Sequence, residues 1–300
     1  MKNKSRFLGV IILVSGIFGY SLVSAQEEQG QEPLGKKWKI PDWLKRTSYG
    51  VVMETEQAPR IYVETVQPLY QSPDKIDTFF THGRISHQDY RGTYSLGLGY
   101  RRLMFKDNLL AGINTFFDYQ DLHQHYRQGA GLELITKLAE FRTNSYFGLS
   151  SKRTVESSAG SETYERVLNG GDVEVGTPLP YLPWCKIFAS FYSYDYRKID
   201  KDMSGWKLRG ELKPFKFFVV NLETYDDNKG DREYTVDSRF NLVFDNFTPK
   251  SIISALKAAK EPYPDVDLAE RTLDRVERNF TIQLEKWRET AGMTIEVGRS

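Results

Sequence analysis

Twelve successive stretches of this 300-residue chain alternate polar and apolar residues and end in turns, a pattern that constrains the fold more than any other feature. Residues 206–213 (WKLRGELK) put Trp206, Leu208, Gly210 and Leu212 on one face and Lys207, Arg209, Glu211 and Lys213 on the other, and residues 239–244 (RFNLVF) repeat the scheme. A strand of a soluble protein hides its apolar face in a core, whereas a strand of a membrane barrel turns that face to lipid and its polar face to the lumen. The strands are expected at 48–56, 60–71, 77–89, 92–104, 108–120, 126–138, 141–151, 171–178, 185–197, 205–213, 215–226 and 233–244. These lengths suit a tilted span of about 9–11 residues with some protrusion. With an even count and an export signal, they predict an all-β fold, a twelve-stranded antiparallel transmembrane β-barrel of the bacterial outer membrane.

The export signal is at the N-terminus. Lys2, Lys4 and Arg6 precede an apolar run over 7–23, and Val23-Ser24-Ala25 offers a small-residue cleavage site. That is a signal peptide over 1–25, too short and too rich in Gly and Ser for a membrane-spanning helix. Residues 26–47 are expected to form a short periplasmic lead-in, 48–245 the barrel, and 246–300 a linker with a helix in the lumen and a short exposed tail. The mean hydropathy of −0.52 fits such a barrel, because only alternate residues of each strand meet lipid. Aromatic residues reach 14% and suit interfacial girdles. A net charge of +1 gives no reason to expect nucleic acid as a partner, and the single Cys185 excludes an internal disulfide.

Loop length sorts with parity. With the N-terminus on the periplasmic side, even-numbered connections face the periplasm and are tight: QSPDK, FKD, LA, LPYLPW and the joint at Pro214. Odd-numbered ones are longer and include DLHQH, KIDKDMS, DNKGDR and residues 152–170 (KRTVESSAGSETYERVLNG), with the short link 57–59 the exception. Outer-membrane barrels show this asymmetry.

Beyond residue 244 the character changes. Thr248-Pro249 reads as a helix start before 251–260 (SIISALKAAK), and Pro262-Tyr263-Pro264 as its stop. A second helix is expected from Asp265 or Asp267 to about Asn279, followed by an extended stretch over 280–287 (FTIQLEKW). Its middle is hydrophilic all round, which suits a polar cavity better than a soluble core.

The order of certain pieces resembles the intimin/invasin-type inverse autotransporter barrel. These are Trp43-Leu44 ahead of the first strand, Gln67-Pro68-Leu69-Tyr70, Leu96-Gly97-Leu98-Gly99-Tyr100-Arg101, residues 108–121 (NLLAGINTFFDYQD), Arg127-Gln128-Gly129-Ala130-Gly131-Leu132-Glu133 and Gly148-Leu149-Ser150. Past the barrel, Val276-Glu277-Arg278-Asn279 runs into Thr281-Ile282-Gln283-Leu284-Glu285. The resemblance implies a barrel whose following segment threads back outward through its pore, as translocator and anchor for its own C-terminal segment. Arithmetic allows it: a helix over 265–279 at about 1.5 Å per residue and a strand over 280–287 at about 3.3 Å exceed the ~30 Å hydrocarbon thickness. Members of the family usually carry adhesin repeats, and none follow here before Ser300. Adhesion is therefore not an expectation, and a passenger in trans on another polypeptide stays open beside a free-standing barrel or a truncated relative. The alternative is a free-standing channel or porin-like structural barrel.

Arg84, Arg101, Arg127, Glu133, Lys207, Arg209, Glu211 and Arg239 fall on lumenal faces, where they are expected to hold the tail helix through Glu270, Asp274 or Glu277. Gly97, Gly99, Gly129, Gly131 and Gly148 let neighbouring side chains or the tail come close to the wall. Phe240, Leu242 and Phe244 end the last strand as the signal read by the barrel-assembly machinery, which with periplasmic chaperones and outer-membrane lipid completes the expected partners. His123 and His125 could face a metal together, but no third ligand is evident, and they read as ordinary loop histidines. His82 and Ser86 invite comparison with barrel-borne lipid hydrolases; four positions apart on a strand is ~13 Å, too far to pair. Neither an enzyme nor a cofactor is expected.

Overall fold

The computed structural model describes residues 40–158, 160–199, 201–215, 217–243, 256–290 and 293–297. The signal peptide, the start of the lead-in, the 248–255 helix start, Phe244 and Ser300 lie outside them. A short helical turn, Asp42–Lys45, leads into the first strand.

Twelve strands close a barrel in which sequence neighbours pair. They are β1 (Thr47–Glu54), β2 (Arg60–Gln71), β3 (Asp77–Gln88), β4 (Arg91–Met104), β5 (Leu109–Gln120), β6 (His125–Thr136) and β7 (Glu140–Gly148), then β10 (Asn169–Leu179), β11 (Leu182–Asp195), β12 (Met203–Phe215), β13 (Phe218–Asp227) and β14 (Glu233–Asn241). Antiparallel pairing of β1 with β14, Ser48 opposite Asn241, closes the ring and brings the start and end of the barrel to one rim. Closure leaves no free edge, so every backbone polar group of the wall can be satisfied in lipid.

The period-2 pattern has its physical counterpart in the two faces of the wall. Along β4, Leu96 and Leu98 are 63% and 54% exposed, while Ser95 before them and Arg101 after them are buried. On β12, Leu208 is half exposed and Arg209 is buried. A greasy outside around a charged inside inverts a soluble protein and suits a bilayer.

Two expectations give way. Residues 152–170 are not a loop: they hold a hairpin, β8 (Arg153–Ser158) and β9 (Ser161–Val167), standing at the rim opposite the chain's entry. The hairpin joins β15 (Leu284–Thr290) and β16 (Met293–Glu296) in a four-stranded sheet of order β16-β15-β9-β8. The tail helix over 265–279 is absent too. A single 3-10 turn, Leu268–Arg271, capped by Asp267, is followed by turns and irregular chain. Of the first tail helix, residues 256–260 are described and carry no helix.

Candidate functional site

The site is the inner wall of the barrel and the tail residues that touch it. Tail contacts follow the order of the chain along the barrel. At the entry rim, Tyr181 of the β10–β11 turn hydrogen-bonds with Pro262 and Ala259, and Lys137 pairs with Asp265 at 2.5 Å. One step inward, Leu268 packs on Leu103, Leu110 and Ile135. Midway, Val276 and Phe280 join Val66, Phe80 and Phe116. Towards the far rim, Asn279 donates from its backbone N to Tyr146 Oη at 2.8 Å. Beyond it, β15 pairs with β9 from Leu284 opposite Val167 to Thr290 opposite Ser161, with Trp287 fully buried against Tyr164.

The missing helix is explained by these contacts. A helix satisfies its own amides; here side chains of the wall do so instead. Arg101 Nη1 donates to the carbonyls of Thr272 (3.1 Å) and Asp274 (2.5 Å), and Arg127 donates to those of Thr281 and Asn279, both at 2.8 Å. Asn144 reaches the Glu277 carbonyl, and His82 Nδ1 accepts from the Val276 amide at 3.4 Å. The helical propensity of LAERTLDRVERN is a matter of tenths of a kcal/mol per residue, less than such charge-assisted bonds supply.

The lumenal residues expected from sequence sit as follows. Arg101 and Arg127 are fully buried, fixed by Glu133 at 2.5 Å and Asp118 at 2.8 Å. Arg84 pairs with Glu64 at 3.1 Å and stacks on Tyr62, and Arg239 meets the same Glu64 at 3.3 Å. Arg209 binds Glu174 at 2.6 Å and has Glu211 at 3.6 Å, while Lys207 faces Glu223 at 3.6 Å.

Within 271–278 of the tail the closest ion pairs of the acidic residues are local. Asp274 and Glu277 pair with the tail's own Arg271 (3.0 Å) and Arg275 (3.1 Å), and Glu270 is exposed. Within 271–278 the close ion pairs from tail to wall come from arginines: Arg271 to Glu140 at 2.8 Å, Arg275 to Glu64 at 3.3 Å, and Arg278 to Asp118 at 2.8 Å. Their spacing of four and three residues is visible in the sequence, but the run reads there only as a helix that is hydrophilic all round. Gly129 makes room for one of them, since a Cβ there would lie 2.7 Å from Arg278 Nη2.

On the last strand, Phe240 stacks on Phe218 with centroids 4.5 Å apart, and just past that strand the Leu242 amide donates to Thr47 across the closing seam. His82 is fully buried, 3.6 Å from Glu64, and T-shaped against Phe116 and Phe280. It is thereby part of the tail's seat, and Ser86 lies four positions further along the same strand. At the far rim His123 and His125 converge on Glu165 of β9, a residue the sequence did not single out. Burial pushes the Glu165 carboxyl up, but its bonds to His125 and His123 and the Lys286 charge outweigh that and bring it down to about 2.

These features define a class: an outer-membrane β-barrel with a lipid-facing apolar exterior and a charged lumen. The model of the family described as "Inverse autotransporter, beta-domain" matches residues 42–280, and the chain belongs to that family. It is 26% identical over 258 residues to the inverse autotransporter adhesin YeeJ of Escherichia coli K12, covering 82% of this chain and 11% of YeeJ. It is 31% identical over 135 residues to a putative attaching and effacing protein homolog of the same strain, which covers 45% of this chain and 43% of that one. With the invasin of Yersinia enterocolitica the identity is 32% over 116 residues, 39% of this chain and 13% of the invasin. The chain thus spans less than half the length of each of these relatives. Among solved structures, a chain from work on the in-meso crystallization of membrane proteins superposes with a TM-score of 0.63 at 19% identity, over 80% of this chain and 99% of that one.

Proposed function

We propose that this barrel is the translocator and anchor for its own C-terminal segment, which runs through the lumen from the periplasmic rim to the cell surface and closes the pore. The observation that carries the reading is the order of the tail's contacts, from Lys137–Asp265 at one rim through Arg278–Asp118 to the β9–β15 pairing at the other. An even-stranded barrel leaves its C-terminal end on the side where it began, so a segment bound for the surface has the lumen as its route. The chain would reach the outer membrane after cleavage of the signal peptide following Ala25, escorted by periplasmic chaperones. The assembly machinery would read Phe240, Leu242 and Phe244 where the barrel sequence ends.

A second reading, a solute channel, draws on one feature. The tail's apolar contacts lie on the β2–β6 side, and a cavity of about 230 Å³ remains towards β10–β14, lined by Asp172, Glu174, Lys207, Arg209, Glu223 and Asp237 among others. An epitope placed after Ser300 tests the first reading. Access to antibody and protease on intact cells is the expected result. An epitope protected on intact cells and reached only after the outer membrane is opened refutes outward passage.

A further inference from the structure

The Asp121–Gln124 turn carries His123, and β6 opens on His125. Glu165, forty residues later, reaches the same point from the middle of β9. His123 Nδ1 lies 2.8 Å and His125 Nε2 3.2 Å from one and the same oxygen, Glu165 Oε2, and one ligand atom from each residue lies within 4.8 Å of the others. Tetrahedral bonds of about 2.0–2.1 Å to N and O put neighbouring ligand atoms about 3.3 Å apart. The three groups therefore stand within a few tenths of an ångström of two edges of such a site. His125 is fully buried and its Nδ1 faces Ser150 Oγ at 3.4 Å, which orients the ring with Nε2 towards Glu165. Glu165 is 1% exposed, and among the described residues its Oε1 accepts no hydrogen bond. Lys286 of β15 stands 3.5 Å from that second oxygen, opposing a cation yet leaving Oε2 to it. His123 is about a quarter exposed, which provides the way in.

We propose that His123, His125 and Glu165 are a three-ligand site for a divalent transition cation of the zinc type, with the fourth position open to water or an incoming ligand. Two neutral imidazoles and one carboxylate are borderline donors that suit zinc, and the ion takes the place of the hydrogen bonds now drawn between the rings and the carboxylate. Bound there, it ties the β5–β6 turn of the barrel to β9, the strand on which β15 of the tail pairs. The site thereby clamps the outer sheet to the rim. That consequence for passage of the tail rests on the translocator reading, whereas metal binding itself does not.

The test uses the full mature chain folded in detergent, stripped with chelator and titrated with zinc by calorimetry and with cobalt(II) by visible absorption. One ion per chain is expected, with the intense bands of tetrahedral cobalt. Glu165→Gln and His125→Ala each weaken binding by at least about a hundredfold, since even loss of an orienting partner costs roughly ten- to a hundredfold. His123→Asn, at the partly exposed position, does the same with less risk to the fold. Heat-modifiable migration on gels confirms that each variant is a closed barrel. Absence of stoichiometric binding, or equal binding by wild type and the folded variants, overturns the site. Zinc is also expected to slow amide exchange across Leu284–Thr290; binding that leaves those amides unchanged overturns the clamp. Neither readout depends on whether the C-terminal epitope reaches the surface.

Discussion

Arg278→Met tests how the tail is seated. Arg278 donates to both oxygens of Asp118, at 3.0 and 2.8 Å, and its guanidinium lies 4.3 Å from the Phe116 ring centroid. Both partners are essentially out of water, at 1% and 0% side-chain exposure. Removing one member of a buried pair costs about 3–5 kcal/mol, because the other charge stays buried without compensation. Here Asp118 keeps Arg127 at 2.8 Å, so the lower end applies, about 3 kcal/mol. If the tail detaches locally while the barrel stays closed, that penalty falls on the docked state alone and raises local opening roughly a hundredfold. Hydrogen exchange of the Val276, Asn279 and Thr281 amides should accelerate by about that factor, with β3 to β6 unchanged. Asp118→Asn should do more harm, since it leaves Arg127 and Arg278 both without a carboxylate, and a double-mutant cycle should return a coupling energy of about 1–3 kcal/mol. Exchange that rises equally in β5 and β6 would show that the tail and wall open as one unit. Unchanged exchange would show that the pair contributes nothing to docking. Either result refutes the argument.

Leu268→Ala empties a site lined by Leu103, Leu110 and Ile135 and should cost about 2–4 kcal/mol of tail docking, seen as faster proteolysis near residue 268 in folded barrels. Gly99→Val places carbon where an ideal Cβ already sits 2.2 Å from Phe80 Cζ, and displacing that ring should lower stability against urea by about 1–3 kcal/mol. Leu98→Arg puts a charge on an outward-facing position and should cost about 2–4 kcal/mol of folding into vesicles, whereas a soluble fold would show little effect at so exposed a residue. Deletion of residues 256–300 should raise conductance in planar bilayers well above the intact chain; equal conductance would count against a pore closed by its tail.

The wall was legible because lipid imposes one rule on every strand, and alternation such as Leu96–Leu98 against Ser95 and Arg101 writes that rule into adjacent residues. Most strand ends fall within about two residues of the expected ones, set by turns such as Ser72–Lys75, where the Lys75 amide donates back to Ser72. What failed depends on partners far away in sequence. The polar run RTVESSAGSETYERV reads as a loop until β15, more than a hundred residues on, pairs with it. LAERTLDRVERN reads as a helix until Arg101 takes the carbonyls of Thr272 and Asp274 and Arg127 that of Asn279. Glu165 carries no local signal as a neighbour of His123 and His125, because it is brought to them only by that hairpin.

The two wall arginines that seize carbonyl oxygens have a consequence for what can travel past them. A carbonyl belongs to every residue, so Arg101 and Arg127 would meet a suitable acceptor whichever part of a polypeptide stood before them. Under the translocator reading they would act as a brake indifferent to cargo sequence, gripping and releasing with each step. Arg271, Arg275 and Arg278 are the opposite kind of contact, three keys that fit Glu140, Glu64 and Asp118 in one register alone. A chain sliding outward would therefore meet smooth friction throughout and stop only where all three turn together.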